Sequence, residues 1–463
     1  MRIFGHHISR AALLLGVLET VVVYASLLLA VAIADQRPEA TGLPHFAALA
    51  AGVAVVLGMS VMGLYEREQQ VLVRIRRLAF LLRLVFGVLL GLLIFKLADL
   101  LFLETAALEI QTLALGGGLA VALLLSGRRL FRSLHQLNLF RRRVVVLGSG
   151  TRAGAVASAS GAETPFEIVG YIALPEKATA EVPEPQVRRL QGHETLLDIA
   201  RELQVDEIVV AVRDRRGTLP IKQLLECKLQ GITVTDVSSF FEREQQQLQL
   251  DSLNTSWLVF GTGFRQSTIG HVAKRGFDLT ASSVLLAASL PIMLVTAAAI
   301  RLEGPGPIFY WQTRVGRGNR PFEICKFRSM RPDAENDGQA RWASGDDDRI
   351  TRVGRVIRKL RIDELPQVFN VFRGEMSFVG PRPERPVFVE QLSEQIPYFL
   401  ARHSIRPGIT GWAQVRYPYG ASVHDARQKL QYDLYYLKNH TLFLDLVILL
   451  ETVNVVLFGR GAR

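Results

Sequence analysis

The sequence predicts a membrane protein in three parts: four transmembrane helices, a parallel α/β domain in the middle, and a mixed α/β, mostly helical domain with a membrane helix of its own. Four apolar stretches, each about long enough to cross a bilayer, lie within the first 125 residues. Strand-like and helix-like runs alternate over residues 143–250, which is typical of a parallel sheet. A fifth apolar stretch, residues 277–302, lies near the start of the third part and contains a proline.

The N-terminal stretches are residues 11–34, 44–64, 78–101 and 106–125, and they predict a transmembrane region over residues 1–135. Short cytoplasmic loops collect Lys and Arg, so the arginine-rich segments before the first stretch, between the second and third, and after the fourth belong inside. Both ends of the chain therefore face the cytoplasm. Ala32-Ile33-Ala34 also has the pattern of a signal-peptide cleavage site, an alternative that the long apolar run disfavours.

Cysteine content and net charge indicate the surroundings of the protein. Cys227 and Cys325 are the only cysteines, which fits a reducing compartment without a disulfide framework. The net charge of +11 could indicate nucleic-acid binding, but no aromatic-basic motif accompanies it, and we expect no nucleic-acid partner. Anionic lipid headgroups and nucleotide diphosphates explain the positive charge better.

The middle part begins with a glycine-rich turn. Residues 144–147 form an apolar run that enters Gly148-Ser149-Gly150-Thr151-Arg152-Ala153, a variant of the dinucleotide-binding fingerprint. Strand-like runs at 167–173, 207–212 and 232–237, with helical patterns at 193–203 and 219–229, predict a Rossmann-like α/β domain over residues 143–250. The second strand ends in Ala173-Leu174-Pro175, where a ribose would need an acidic residue, so a structural, dimerising or regulatory role is favoured. Residues 251–270 are predicted to be a linker.

The fifth apolar stretch predicts a re-entrant membrane helix. If residues 277–302 crossed the bilayer, the arginine-rich segment after them would lie outside, against the distribution of charge expected for loops. Pro291 removes a helix hydrogen bond and can kink the segment, and Ser289 can bond the freed backbone. A re-entrant helix over residues 275–302 would keep the third part, residues 271–463, in the cytoplasm. A buried core helix of a soluble domain is the alternative.

Two adjacent carboxylates follow a run of cations in Arg358-Lys359-Leu360-Arg361-Ile362-Asp363-Glu364-Leu365-Pro366. Asp363 is a typical N-cap residue, and the proline three positions later is tolerated only in a first turn, so a helix is predicted to begin there. The positive end of the helix dipole would keep the carboxylate of Asp363 ionised and would hold a phosphate beside it. Arg352, Arg355 and Arg358 share one helix face at this spacing. A solvated, salt-bridged helix is the alternative.

Three further segments accompany this stretch: Lys326-Phe327-Arg328-Ser329-Met330, Gly374-Glu375-Met376-Ser377-Phe378-Val379-Gly380-Pro381-Arg382-Pro383-Glu384-Arg385-Pro386, and Arg406-Pro407-Gly408-Ile409-Thr410-Gly411-Trp412-Ala413-Gln414-Val415. In this order they resemble the bacterial sugar transferases, the polyprenyl-phosphate sugar-1-phosphate transferases also called monotopic phosphoglycosyl transferases. The apolar region and the middle domain in front resemble the large members that initiate exopolysaccharide and O-antigen synthesis. The resemblance also implies the re-entrant helix.

The resemblance implies a phosphotransferase of the bacterial inner membrane with a cytoplasmic catalytic domain. It would move a sugar 1-phosphate from a nucleotide (UDP) sugar to undecaprenyl phosphate, releasing UMP, in two steps through a covalent phosphosugar-aspartate. The family nucleophile maps to Asp363, with Glu364 as its partner, and the family phosphate ligands map to Lys326, Arg328 and Arg358. We expect a homo-oligomer, a dimer, with polysaccharide assembly proteins as further partners.

Residues of the third part add candidates of their own. Arg382, between two prolines, and Arg406 can each make forked bonds to phosphate. Because adjacent carboxylates repel each other, they favour Mg²⁺, which we expect on Asp363 and on substrate phosphates. Many family members have Asn-Gly where this chain has Arg416-Tyr417-Pro418-Tyr419-Gly420, so the identity of the sugar stays open.

Two other classes of function compete with the transferase. One is a membrane-anchored dinucleotide-binding enzyme or sensor that acts through residues 144–240. The other is a scaffold for polysaccharide assembly, which leaves Asp363 and Glu364 unexplained. A truncated protein that begins at Ser267 or Thr268 separates them, because only the transferase hypothesis expects it to stay active.

Overall fold

The architecture is that of a computed structural model of the 463-residue chain. It describes residues 2–3, 6–7, 10–34, 43–65, 77–100, 108–136, 141–161, 164–174, 182, 187–189, 194–212, 219–251, 253, 264, 268–331, 334, 349–418, 420 and 422–458.

The N-terminal region consists of four apolar helices, α1 (Arg10–Ile33), α2 (Leu43–Val61), α3 (Arg77–Ala98) and α4 (Ile110–Gln136). Two short strands, β1 (Arg2–Ile3) and β2 (His6–His7), pair in front of α1. Helices α1, α3 and α4 are long and apolar enough to cross a membrane, and α2 is a shorter apolar helix. The predicted helices are therefore present. Three of the loop arginines that predicted their orientation, Arg67, Arg74 and Arg76, lie outside the described residues.

Close helix packing and one buried ion pair hold this region together. A Cβ at Gly91 would lie 2.3 Å from the Cα of Val55, so the approach of α3 to α2 requires glycine. Arg128 of α4 pairs with Glu19 of α1 (Nη2–Oε2, 2.9 Å) and donates to the carbonyl of Leu64 after α2 (3.2 Å). Both charges are buried, so each would be costly without its partner. Together with the bond to Leu64, the pair holds α4, α1 and the end of α2 in contact.

The middle domain is a parallel sheet with helices on both faces. Strands β3 (Arg142–Leu147), β4 (Phe166–Ala173), β5 (Val187–Arg189), β6 (Glu207–Val210) and β7 (Thr233–Asp236) lie in the order β5-β4-β3-β6-β7. The helices are α5 (Thr151–Ser158), α6 (Leu196–Glu202), α7 (Ile221–Leu229) and α8 (Val237–Gln245). The two faces of the sheet form separate apolar clusters. The predicted parallel α/β domain is confirmed, and β5 and α8 are additions to it.

The glycine-rich turn lies between β3 and α5, as predicted. Gly148 has φ +121°, and a Cβ there would lie 3.2 Å from the main chain of Ala211, so this backbone needs glycine. Strand β4 ends at Ala173 and Leu174 follows, so the described chain has no acidic residue at the end of the second strand. A Rossmann-type cofactor site, which the sequence disfavoured, therefore has no support from the described residues, and a structural, dimerising or regulatory role stays the prediction.

The end of the middle domain packs into the third part of the chain. Glu242 of α8 is buried and accepts hydrogen bonds from Lys438 Nζ (2.7 Å) and Asn439 Nδ2 (3.0 Å). Trp412 Nε1 donates to the carbonyl of Gln246 (2.9 Å). The apolar core of the third part also contains the side chains of Leu248, Leu250 and Leu253. Packing thus joins residues 242–253 to the third part. Of the predicted linker, only residues 251, 253, 264 and 268–270 are described.

A truncated protein that begins at Ser267 is expected to be less stable and less active than one that begins at Val237. It would lack the buried leucines and the carboxylate that pairs with Lys438. Burial of one leucine contributes about 1.5–3 kcal/mol, so the loss of several lowers the unfolding midpoint. Thermal unfolding and transferase assays of both proteins in detergent measure the difference. Equal midpoints and equal activities would show that the segment is dispensable.

The third part begins with one long helix, α9 (Thr268–Glu303), which continues through Pro291. It is long and apolar enough to cross a membrane. One face is buried, and the exposed apolar side chains include Val284, Leu294 and Val295. Ser289 Oγ donates to Met293 Sδ (3.5 Å), and the described residues show no bond from it to the backbone freed by Pro291. The re-entrant path stays a prediction.

Both ends of α9 contact the same folded unit. Near its start, Arg275 Nη1 donates to the carbonyl of Val371 (2.7 Å). At its other end, Glu303 Oε1 accepts a hydrogen bond from the main-chain N–H of Val353 (3.1 Å). The third part therefore contacts α9 near both of its ends.

The remaining elements form a mixed α/β, mostly helical unit, as predicted. Strands β8 (Phe309–Val315) and β9 (Pro321–Phe327) form an antiparallel hairpin with a 3-10 turn at Arg317–Asn319. Helix α10 (Arg352–Lys359), a 3-10 helix (Ile362–Gln367) and α11 (Val368–Arg373) follow. Strands β10 (Ser377–Val379) and β11 (Gly408–Thr410) pair in parallel, with α12 (Pro386–Gln395) and a 3-10 helix (Phe399–Ser404) between them. The last helices are α13 (Trp412–Arg416), α14 (Val423–Asn439) and α15 (Leu442–Phe458).

Helix α15 connects the third part to the transmembrane region. Leu444 and Ile448 are buried in the core of the third part, whereas Leu450 packs against the cluster of the N-terminal helices. Helix α15 thus packs against both parts of the chain.

Candidate active site

Asp363 and Glu364 lie in the 3-10 helix that packs beside strand β9. Arg361, the residue before this helix, has φ +55° in the left-handed region and provides no side-chain cap. Asp363 therefore lies inside the first turn of a short 3-10 helix, and the α-helix α11 begins only at Val368. The prediction that Asp363 is the N-cap of an α-helix is wrong, so the helix dipole does not account for a phosphate site here.

Glu364 is held by cations from three directions. Its Oε1 accepts hydrogen bonds from Lys326 Nζ on β9 (3.2 Å) and from Arg382 Nη2 (2.7 Å). Arg361 Nη1 lies 4.0 Å from Oε2. Charge-assisted bonds of this kind are strong and directional. Glu364 thus fixes the positions of Lys326 and Arg382, two of the predicted phosphate ligands, on one side of the Asp-Glu pair.

Asp363 differs from its neighbour because its carboxylate makes no hydrogen bond to any residue that the structure describes. The charges of Lys326, Arg358 and Arg382 nevertheless act on it. An unbonded carboxylate among cations that are already positioned is free to react with a substrate or to bind a metal. The structure therefore brings together five of the predicted site residues: Asp363, Glu364, Lys326, Arg358 and Arg382.

The two carboxylates are in different electrostatic states. Burial, together with the charge of Glu364, raises the pKa of Asp363 to about 6, although the surrounding cations oppose this. Burial also acts against ionisation of Glu364, but Arg382 and Lys326 outweigh it and hold the pKa of Glu364 below its usual range. Glu364 is therefore the permanently charged member of the pair, and Asp363 is the more basic and more nucleophilic one.

Two further arginines support the site, and the sequence analysis did not single out either. Arg314 of β8 donates to the carbonyl of Pro383 (3.1 Å), and its charge acts on Glu364. Arg402 is buried, pairs with Asp433 (2.7 Å) and donates to the carbonyl of Arg382 (3.0 Å). No alternation of polar and apolar residues in β8 marks Arg314. No local pattern indicates Arg402, because its partners are distant in sequence.

Arg328 does not join the site. Its buried guanidinium donates to the carbonyls of Pro305 (2.8 Å), Gly304 (3.1 Å) and Ile300 (3.2 Å). These bonds hold the end of α9 and the loop after it. The expectation that Arg328 binds a substrate phosphate is therefore corrected, because main-chain carbonyls already occupy its donors.

Arg406 is the remaining predicted phosphate ligand. It precedes β11, and the charges that act on it are those of Arg275, Arg317 and Asp278 rather than those of the Asp-Glu pair. Burial and the two arginines lower its pKa. The role of Arg406 as a phosphate ligand of the Asp363 site therefore stays a prediction.

Comparison with known proteins places this site in a family. The family model described as bacterial sugar transferase matches residues 269–459. A UDP-glucose:undecaprenyl-phosphate glucose-1-phosphate transferase of Caulobacter vibrioides is 45% identical over 193 residues, which cover 41% of this chain and 71% of the relative. The chain belongs to the bacterial sugar transferase family.

Two other relatives of this bacterial sugar transferase match longer segments. A UDP-N-acetylgalactosamine-undecaprenyl-phosphate N-acetylgalactosaminephosphotransferase of Aeromonas hydrophila is 46% identical over 240 residues, 52% of this chain. An undecaprenyl-phosphate glucose phosphotransferase of Komagataeibacter xylinus is 34% identical over 330 residues, 69% of this chain. The matched segments span 56% and 60% of these relatives. The family segment extends from α9 into α15 and contains all of the Asp363 site.

The residues of this bacterial sugar transferase fit a magnesium ion that is bound mainly by substrate. The described residues contain no group of three or more His, Cys, Asp or Glu side chains that could hold a metal alone. Asp363 offers a hard carboxylate oxygen that has no hydrogen-bond partner among the described residues, whereas the carboxylate of Glu364 is bonded to Lys326 and Arg382. Mg²⁺ commonly uses one or two carboxylates and completes its shell with water and phosphates. Magnesium on Asp363 stays a prediction.

Proposed function

We propose that this protein transfers a sugar 1-phosphate from a UDP sugar to undecaprenyl phosphate at the cytoplasmic face of the inner membrane. The products would be undecaprenyl-diphosphate sugar and UMP, and the reaction would begin synthesis of an exopolysaccharide or O-antigen. The observation that carries the proposal is a contrast: Asp363 has no hydrogen bond to its carboxylate among the described residues, whereas Glu364 is bonded to Lys326 and Arg382. The names of the relatives, which mention undecaprenyl phosphate and UDP sugars, support it.

In the first step, a carboxylate oxygen of Asp363 attacks the phosphorus that carries the sugar. The bond from that phosphorus to the bridging oxygen of UMP breaks, and UMP leaves with its electron pair. An acyl phosphate that carries the sugar remains on Asp363. In the second step, an oxygen of undecaprenyl phosphate attacks the same phosphorus, and the acyl phosphate bond breaks. Asp363 is regenerated, so one small site serves both substrates in turn.

The cations around Asp363 act on the charge that develops in both steps. Phosphoryl transfer spreads negative charge over the oxygens of the transferred group, and catalysis depends mainly on positioning and electrostatic stabilisation. Lys326 and Arg382 are already oriented by Glu364, and Arg358 approaches from α10. A bound Mg²⁺ would neutralise the charge of the phosphates and of the leaving UMP. Asp363 and the substrate phosphates would hold it.

The contacts of α9 support a helix that enters and leaves the membrane on one side. A straight helix of 36 residues is about 54 Å long, and crossing the bilayer would carry its ends to opposite faces. Arg275 and Glu303, near its two ends, instead bond to the same folded unit. That unit contains the charged Asp363 site, which needs water-soluble nucleotide sugar. Pro291 lies within the membrane segment, where it can bend the path.

Reporter fusions test this topology. A reporter fused after Arg463 and one fused before Met1 are both expected to give a cytoplasmic signal, because α9 returns to the side from which it enters. A reporter in the segment between α1 and α2, which the structure does not describe, is the matched control and should report the periplasm. A periplasmic signal after Arg463 would rule out the re-entrant path.

A panel of UDP sugars tests the activity itself. The full chain in detergent is incubated with undecaprenyl phosphate, Mg²⁺ and one UDP sugar at a time, and both UMP and the lipid product are measured. Because the relatives are named for glucose and N-acetylgalactosamine, these two donors come first. We expect UMP release that depends on lipid over many turnovers. Absence of any lipid-linked sugar across the panel would reject the proposed function.

A further inference from the structure

We propose that Arg402 and Asp433 form a positioning pair for the transfer reaction. Arg402 holds the main chain of Arg382, and this keeps the Arg382 guanidinium in place beside the Asp-Glu pair. The side chains of Arg402 and Asp433 are only 6% and 2% exposed, so they act through Arg382 rather than on a substrate. The inference rests on the proposed function, in which the charge of Arg382 stabilises the transferred phosphoryl group.

The segment that carries Arg382, residues 381–384, is held at each of its carbonyls. It lies between β10 and α12 and belongs to no helix or strand. Two of its four residues are prolines, which have no N–H to donate, so fixing the segment depends strongly on its carbonyls. Each carbonyl oxygen accepts a hydrogen bond: Pro381 from Gly408 N (2.9 Å), Arg382 from Arg402 Nη2 (3.0 Å), Pro383 from Arg314 Nη1 (3.1 Å) and Glu384 from Val315 N (2.9 Å). Main-chain donors thus hold the two ends, and arginine side chains hold the middle.

Arg402 is itself fixed within the core. Its Nη2 pairs with Oδ2 of Asp433 on α14 (2.7 Å), and its guanidinium lies over the ring of Phe399, 5.2 Å from the centroid. A buried guanidinium without a counter-charge would be costly, so Asp433 is what allows Arg402 to lie there. The nitrogen that pairs with Asp433 also donates to the carbonyl of Arg382. The main chain of Arg382 is therefore attached to a rigid donor.

Arg382 is fixed at two points, but its guanidinium stays accessible. The carbonyl is bonded to Arg402, and Nη2 is bonded to Glu364 (2.7 Å), while 31% of the side chain is exposed. Pro383 also restricts the backbone of Arg382 to extended conformations. A shift of about 1 Å in a group that acts on the reacting atoms can cost roughly 100-fold in rate. Loss of Arg402 should therefore slow the reaction through the misplacement of Arg382.

Hydrogen–deuterium exchange of the full chain in detergent, without substrate, tests the attachment. The pair variant carries Arg402→Met together with Asp433→Leu, because apolar residues of similar size commonly preserve stability when they replace a buried ion pair. Peptides that contain the amides of Gly408 and Val315 should exchange about tenfold faster in this variant, since both amides donate to the loosened segment.

A double-mutant cycle with Arg382→Gln tests the effect on the reaction. Arg382→Gln should retain slow turnover, because Lys326 and Arg358 remain. In the otherwise unchanged protein, the pair variant should lower kcat/KM for the UDP sugar about 10- to 100-fold. In the Arg382→Gln background it should lower kcat/KM less than about twofold, because the residue that it positions is already lost. A purely structural role would lower kcat/KM by the same factor in both backgrounds.

Lys438→Met together with Glu242→Leu is the matched control. This ion pair (2.7 Å) is also buried and also lies on α14, but it joins α14 to α8 rather than to residues 381–384. The control should change kcat/KM by the same factor in both backgrounds and leave exchange near Gly408 and Val315 unchanged. If the pair variant does not fold, Arg402→Lys replaces it. Lysine keeps the charge opposite Asp433 but reaches less far, so it should show the same pattern more weakly.

Two results would overturn the inference. One is unchanged exchange near Gly408 and Val315 in the pair variant, and the other is an equal fall in kcat/KM in both backgrounds. If the unchanged protein turns over no UDP sugar, the proposed function fails instead. The exchange measurement then decides by itself whether Arg402 holds the segment that carries Arg382.

Discussion

Asp363→Asn is expected to lower turnover by roughly 10³-fold or more while the protein stays folded. The amide keeps the shape of the side chain but has no anionic oxygen to attack phosphorus. Burial and the charge of Glu364 disfavour the ionised form of Asp363. Replacing the carboxylate with an amide removes the repulsion from Glu364 and should not lower the unfolding midpoint. The initial rate of UMP release with undecaprenyl phosphate measures the loss.

Asp251→Asn provides the matched control, since the side chain of Asp251 is 85% exposed and pairs with Arg427, away from the Asp363 site. Its turnover should equal that of the unchanged protein. A folded Asp363→Asn protein that keeps turnover within tenfold of the unchanged protein would show that Asp363 is not the nucleophile.

Glu364→Gln is expected to have the second largest effect, a fall in turnover of about 10²-fold. The variant leaves Lys326 and Arg382 without the carboxylate that orients them, and these cations are only partly exposed. The unfolding midpoint should therefore fall, in contrast to Asp363→Asn. The nucleophile itself remains, so slow transfer should persist.

The assay for Glu364→Gln combines initial rates with thermal unfolding, and Glu394→Gln, at an exposed position on α12, serves as control. Glu394→Gln should change neither quantity. If Glu364→Gln abolished transfer completely while Asp363→Asn kept it, the roles of the two carboxylates would have to be exchanged.

Periodic and local features of this fold could be predicted from sequence. The apolar helices and the strands of the middle domain follow directly from hydropathy and alternation, as in β3 and β6. The core of the site was also predictable, because Asp363 and Glu364 are adjacent and occur together with Lys326 and Arg382 in recognisable motifs. These residues do converge in the structure.

Features that depend on tertiary contacts were not predictable. Arg328 is one residue beyond β9, and only the folded chain shows that the carbonyls at the end of α9 take its donors. Arg361 adopts a left-handed conformation that moves the helix start away from Asp363. Residues 251–270 resemble a linker in sequence, yet Leu253 is buried in the core of the third part. For Arg328 and for the segment before α9, a partner that is distant in sequence decides the outcome.

The most direct test of the covalent mechanism is incubation of the full chain with Mg²⁺ and a UDP sugar labelled in the sugar, without undecaprenyl phosphate. We predict that label accumulates on the peptide that contains Asp363, that hydroxylamine releases it, and that one UMP appears for each label. Asp363→Asn should acquire none. Label on the Asp363→Asn protein, or initial rates showing that undecaprenyl phosphate must bind before any UMP leaves, would contradict the covalent aspartate and require direct transfer instead.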